Sequence, residues 1–148
     1  MGNPRMTNAS GSATSDPTAT GGVHLIAIVD DDAPVRSSTA RLIRSFGYRA
    51  DAYASGPDFL GSPHLPMTAC ALLDVRMPDM DGLEVQRRLT ADGHRIPVIF
   101  ISGRASADEE RRARAVGDFM RKPVAPALLR HRLRALLSQR GRHRGHDP

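Results

Sequence analysis

The residues with the most chemistry to offer lie far apart in the chain: the run Asp30-Asp31-Asp32, then Asp74, Ser102 and Lys122. Clustered carboxylates repel one another unless a cation sits among them. Mg²⁺ suits such a cluster, because it takes oxygen ligands, keeps several waters and bridges to phosphate oxygens. A carboxylate is also a competent nucleophile toward phosphorus, giving an aspartyl phosphate. That transfer needs charge neutralisation and positioning more than acid–base work. Lys122, the only lysine in the sequence, supplies a fixed positive charge, and the Ser102 hydroxyl can donate to a phosphoryl oxygen.

These groups act together only if the fold gathers them, and the local pattern says how it does so. Apolar or alternating runs mark strands at Val23 to Val29, Tyr48 to Tyr53, Cys70 to Leu73, Ile96 to Ile101, and around Phe119 and Met120. Helical patterns lie between them. Asp32 caps the first, which carries Val35, Thr39, Leu42, Ile43 and Phe46 on one face and stops at Gly47. Short helical signals follow over Ser55 to Leu60, and over Leu83 to Thr90 with Leu83, Val85 and Leu89 as apolar positions. Ala107 to Val116 reads as a highly charged helix. Pro126 to Gln139 reads as an amphipathic one, with Leu128, Leu129, Leu133, Leu136 and Leu137 facing in. Strands alternating with helices imply an α/β doubly wound parallel sheet. In such sheets ligands bind beyond the carboxyl ends of the strands. Asp30-Asp31, Asp74, Ser102 and Lys122 each follow or end a strand, so all are expected at one rim.

The stretches Val29-Asp30-Asp31-Asp32, Leu73-Asp74-Val75-Arg76-Met77-Pro78-Asp79-Met80-Asp81-Gly82, Ile101-Ser102-Gly103 and Lys122-Pro123 together resemble the response-regulator receiver family, the CheY-like superfamily. The resemblance covers Val23 to Gln139. It implies a flavodoxin-like (βα)5 fold with strand order 2-1-3-4-5. It implies Asp74 as phosphoacceptor, and Mg²⁺ held by Asp30, Asp31, Asp74 and the backbone carbonyl of Arg76. Ser102 would be the switch hydroxyl, Lys122 the phosphate-contacting lysine, and the Lys122–Pro123 peptide cis. Phe119 matches the family's switch aromatic, and simple core packing explains it equally well. Of the three consecutive aspartates, Asp30 and Asp31 are preferred as ligands because Asp32 suits the helix cap. Asp79 and Asp81 read as turn and cap residues.

The resemblance further implies a two-component phosphorelay. The partner would be a sensor histidine kinase or phosphotransfer protein, and the signal would leave by protein–protein contact. A homodimer through the face from the fourth to the fifth helix is a further expectation. The chain would not be an enzyme beyond its own Mg²⁺-dependent phosphorylation and dephosphorylation. The alternative is a receiver-like interaction module that no longer cycles phosphate. A phosphatase of another doubly wound family would want a second carboxylate two residues after the nucleophile, where Arg76 stands. There are departures from the family too. The segment from Ser102 to Lys122 is slightly short, Val124 replaces an aromatic, and Arg76 and Arg104 flank the expected phosphoryl position, where they suggest a slow-decaying acyl phosphate.

Composition bounds the rest. The chain has 148 residues, enough for one domain with a real core, and 40% are hydrophobic. One cysteine, Cys70, excludes an internal disulfide framework. No apolar run approaches the ~20 residues that span a bilayer, and no secretory signal is visible at the N-terminus; a cytoplasmic address is the resulting expectation. Residues 1–22 and 140–148 read as disordered tails around a receiver at 23–139, with no room for an output domain after the last helix. Lys and Arg number 21 against 16 Asp and Glu, a net charge of +5. Arg130, Arg132, Arg134, Arg140, Arg142 and Arg144 form a basic stretch without interleaved aromatics, which favours a solvated helix face over a DNA-binding one.

Overall fold

The structure, a computed structural model, describes residues 23–146. Five strands, β1 (Leu25–Val29), β2 (Arg49–Tyr53), β3 (Thr68–Asp74), β4 (Val98–Ser102) and β5 (Asp118–Arg121), form one parallel sheet in the order β2-β1-β3-β4-β5. The intervening helices are α1 (Ala33–Ser45), α2 (Gly56–Leu60), α3 (Gly82–Ala91), α4 (Ala107–Val116) and α5 (Pro126–His146), with one 3₁₀ turn at Leu65–Met67. The doubly wound architecture and strand order are those expected.

Alternation along the buried strands sorts the core into two layers. Ala27, Val29, Leu73, Phe100 and Phe119 pack with Phe59 of α2, Leu83, Val85 and Leu89 of α3, and Ala113 of α4. Ile26, Ile28, Leu72, Ile99, Ile101 and Met120 pack with Ala40 and Ile43 of α1 and with Leu129, Leu133 and Leu137 of α5. The helices therefore cover both faces of the sheet.

The α1 face keeps its expected members together: Ile43 is fully buried, Leu42 and Phe46 pack partly buried against the same layer, and Val35, Thr39 and Leu42 line an apolar cavity of about 640 Å³ that also reaches Val124. Several other local expectations are corrected. In α5 Leu128 is 42% exposed, because at 100° per residue it falls outside the stripe made by Leu129, Leu133 and Leu137. Strand β3 begins at Thr68 and ends on Asp74, so it is longer than Cys70 to Leu73. The tail expected from Arg140 is corrected as far as His146, since the α5 backbone stays helical to that point. Gly141 and Gly145 are poor helix formers, so propensity does not explain the extension; an anchored helix has already met the cost of nucleation, which leaves only the smaller cost of adding turns. The N-terminal tail expected over 1–22 lies outside the described residues.

Two helix starts follow from side chains read in the sequence: Asp32 accepts the Val35 N–H at 3.2 Å and Asp81 accepts the Glu84 N–H at 2.8 Å. A third, which the sequence reading did not name, is Ser106, which closes a capping box with Glu109. Gly47 follows α1 at φ +98°, a left-handed conformation that favours glycine. Gly82 matters for a different reason: a Cβ there would lie 2.4 Å from the Asp74 carbonyl oxygen. The start of α3 thus rests directly on the end of β3. Gly82→Ala is expected to lower stability by about 1–3 kcal/mol, read as a fall in the urea midpoint; an unchanged midpoint would show that the two backbones are not in close contact.

Candidate functional site

The site forms where β1 and β3 lie side by side. Val29 pairs with Leu73, so Asp30 and Asp74 emerge next to each other at the carboxyl edge. From β1 the chain turns one way to β2, while β3 lies on the other side, which makes this the switch point of the sheet. Strand β4 brings Ser102 to the same edge, and the Lys122 N–H donates to the Ser102 carbonyl at 3.1 Å, placing the lysine beside it. The Lys122–Pro123 peptide is cis.

Carboxylate oxygens of Asp30, Asp31 and Asp74 lie within 4.8 Å of one another. Asp30 and Asp74 are buried and Asp31 is exposed. The Lys122 ammonium donates to Asp30 Oδ2 at 2.9 Å and reaches Asp74 Oδ2 at 3.4 Å. Asp30 Oδ1 accepts the Asp32 N–H at 2.9 Å, and Asp74 Oδ1 accepts the Arg76 N–H at 3.3 Å. Ser102, 1% exposed, accepts the Arg104 N–H through Oγ at 3.2 Å. A cleft of about 430 Å³ opens over Asp31, Asp74, Ser102, Arg104 and Lys122.

Burial and the Asp30 charge push the Asp74 carboxyl up to about 6, against the lowering effect of Lys122 and of the Arg76 N–H. Burial alone would lower the Lys122 pKa, but its bond to Asp30 and the charges of Asp74 and Asp30 raise it. One ammonium shared between two buried carboxylates, with a third exposed carboxylate alongside, leaves excess negative charge. An oxygen-preferring divalent cation fits that donor set, with Asp30, Asp31 and Asp74 as the side chains that would hold it.

The structure brings together Asp30, Asp31, Asp74, Ser102 and Lys122. It puts Asp32 on the helix cap and Asp81 on the next one. Phe119 is elsewhere: it is 2% exposed in the core under α4, with the Arg114 and Arg121 guanidiniums 5.3 and 5.5 Å from its ring centre. Two contacts were not read from the sequence. Arg36 Nη1 donates to the Asp30 carbonyl at 2.6 Å, and Arg76 pairs with Glu109 at 3.0 Å. Neither has a local signal, because each joins residues from different elements or different turns.

The fold and rim define a doubly wound α/β protein with an acidic pocket at its switch point. The chain matches the response regulator receiver domain over residues 26–134, and it belongs to that family. The response regulator protein TodT of Pseudomonas putida is 37% identical over 126 residues, which cover 84% of this chain and 56% of TodT. TmoT of Ectopseudomonas mendocina is 43% identical over 101 residues, 67% of this chain and 46% of TmoT. The chain therefore spans about half the length of these curated relatives. A response regulator receiver protein from Burkholderia phymatum, solved by crystallography, is 40% identical with a TM-score of 0.67, covering 78% of this chain and 95% of that one. Receiver domains of response regulators interact with histidine kinases or phosphotransfer proteins and generally bind Mg²⁺ at an acidic pocket. Among the described residues no helix is long and apolar enough to cross a membrane.

The raised Asp74 pKa has a sign that can be checked. A carboxyl whose folded pKa lies above its unfolded value of 3.8 favours the fold below about pH 4, and that contribution is lost as pH rises through about 6. In a chelating buffer at pH 7.5, Asp74→Asn is therefore expected to be more stable than the wild type by about 1–2 kcal/mol. Thermal melts should show the difference shrinking as pH falls from 7 to 5. A variant no more stable than wild type at pH 7.5 would contradict the strained carboxylate.

Proposed function

We propose that Asp74 accepts a phosphoryl group from a sensor histidine kinase or phosphotransfer protein, and that the phosphorylated form signals by protein–protein contact. The observation that carries this reading is the convergence of three carboxylates within 4.8 Å at the sheet switch point, with Lys122 reaching two of them. Asp30, Asp31, Asp74 and the backbone carbonyl of Arg76 would hold Mg²⁺. When bound, the cation neutralises charge on the phosphoryl oxygens and relieves the repulsion between the carboxylates.

The side chains divide the work. The Asp74 carboxylate oxygen attacks phosphorus, and the donor's phosphorus–nitrogen or phosphorus–oxygen bond breaks. Lys122 already lies 3.4 Å from Asp74 Oδ2 and neutralises the added charge. The Ser102 hydroxyl accepts from Arg104 N–H and has its own proton to donate to a phosphoryl oxygen. That pull on Ser102 tugs the loop entering α4 and alters the α4–β5–α5 face, with Phe119 following the vacated space. No catalysis on a separate substrate is proposed.

A small phosphodonor such as phosphoramidate with Mg²⁺ is expected to place one alkali- and hydroxylamine-labile phosphoryl group on the wild type. Asp74→Asn or chelation of the cation should abolish it. Failure of the wild type to take label would leave the alternative, an interaction module that does not cycle phosphate. Arg104 lines the acceptor cleft, so pairing with the phosphoryl group would shield it from water. Arg104→Ala is then expected to shorten the label's half-life about two- to fivefold; an unchanged half-life would remove Arg104 from that role.

A further inference from the structure

Two arginines border the acidic rim, and they are held differently. Arg104 lines the acceptor cleft with Asp31, Asp74 and Lys122, and its guanidinium makes no ion pair among the described residues. Arg76 lines the adjoining polar cleft, and its guanidinium lies on Glu109. Nε is 3.2 Å and Nη2 3.0 Å from Glu109 Oε1. That same oxygen accepts the Ser106 N–H at 2.9 Å, while Ser106 Oγ accepts the Glu109 N–H at 3.1 Å. One carboxylate oxygen thus closes the first turn of α4 and holds the side chain of Arg76. The backbone N–H of Arg76, in turn, sits 3.3 Å from Asp74 Oδ1.

We propose that Glu109 is a positioning residue for the lifetime of the phosphorylated state: it holds Arg76 on α4 and so keeps that second guanidinium from adding to the shielding of the phosphoryl group from water. The inference rests on Asp74 being the phosphoacceptor. In hydrolysis a water oxygen bonds to phosphorus as the bond from phosphorus to the Asp74 carboxylate oxygen breaks. The electron pair returns to the carboxylate, and the water proton leaves with inorganic phosphate. A guanidinium laid across the outward phosphoryl oxygens would occupy the space that water must cross. Arg76 is two residues from Asp74 and long enough to compete for that place. Glu109 is the group on the page that holds it elsewhere.

The Arg76–Glu109 pair is half exposed on the arginine side, at 48%, and less so on the glutamate side, at 23%. Its hold is therefore modest, and the expected effect of losing it is about two- to fivefold. Glu109→Gln separates the two duties of the side chain. Glutamine keeps an amide oxygen for the Ser106 N–H, which preserves the capping box, but it lacks the charge that retains Arg76.

The experiment loads the full chain with ³²P-phosphoramidate and Mg²⁺, removes the donor and follows the alkali- and hydroxylamine-labile label. Label on Glu109→Gln is expected to decay about two- to fivefold more slowly than on the wild type. In an Arg76→Met background the Glu109→Gln change should have no effect on the rate. Equal decay of wild type and Glu109→Gln, or slowing that persists without Arg76, would overturn the positioning role and leave Glu109 as a helix cap only. Absence of Asp74-dependent label from the wild type would instead bring down the phosphoacceptor reading, and this inference with it.

Discussion

Three carboxylates have to share one corner of this molecule, and a single ammonium is set against them. Adjacent parallel strands in register bring Asp30 and Asp74 to neighbouring positions, and the turn after β1 adds Asp31. Strands lie about 4.8 Å apart, so the repulsion is built into the sheet. Lys122 crosses from beyond β5 to touch Asp30 and Asp74. It offsets part of the charge; burial first, and then the remaining Asp30 charge, push the Asp74 carboxyl up to about 6. The same surplus of negative charge that makes the corner costly makes it receptive to a cation.

The surroundings are firm on one side of this corner and loosely tied on the other. Gly82 lets α3 begin against the Asp74 carbonyl, and Arg36 and Asp32 fix the backbone after β1. Helix α4, by contrast, buries only Ala113. Its ion pairs to other elements are the Arg76–Glu109 pair and the bond of Glu110 to Arg121. Exposed ion pairs are individually weak, so α4 is the element that a change of charge at Asp74 can most readily shift. A helix fastened by charges rather than by an apolar face responds to a charge.

Most of the fold was legible because its signals are local. The buried runs of β1, β3 and β4, the caps at Asp32 and Asp81, and the stop at Gly47 are each decided within a few residues. Errors gathered where a distant partner decides. Leu128 looked like part of the apolar stripe of α5, but the core layer takes Leu129, Leu133 and Leu137, with Leu136 partly buried against them. The helix beyond Gln139 was missed because its charged residues carry no period, while an anchored helix needs none to continue as far as His146.

By itself the sequence determined the family resemblance, which implied the strand order, and the identity of the groups at the rim. Residue type and position at strand ends suffice for the rim groups, since a parallel α/β sheet delivers every strand's carboxyl end to one edge. Only the tertiary structure decided how those groups share charge: that Lys122 spans Asp30 and Asp74, that Asp31 stays exposed, and that Arg76 lies on Glu109 while Arg104 borders the acceptor cleft. The reason is physical. Coulomb and hydrogen-bond energies depend on ångström distances between side chains remote in sequence, and those distances are set by packing, which no local pattern encodes.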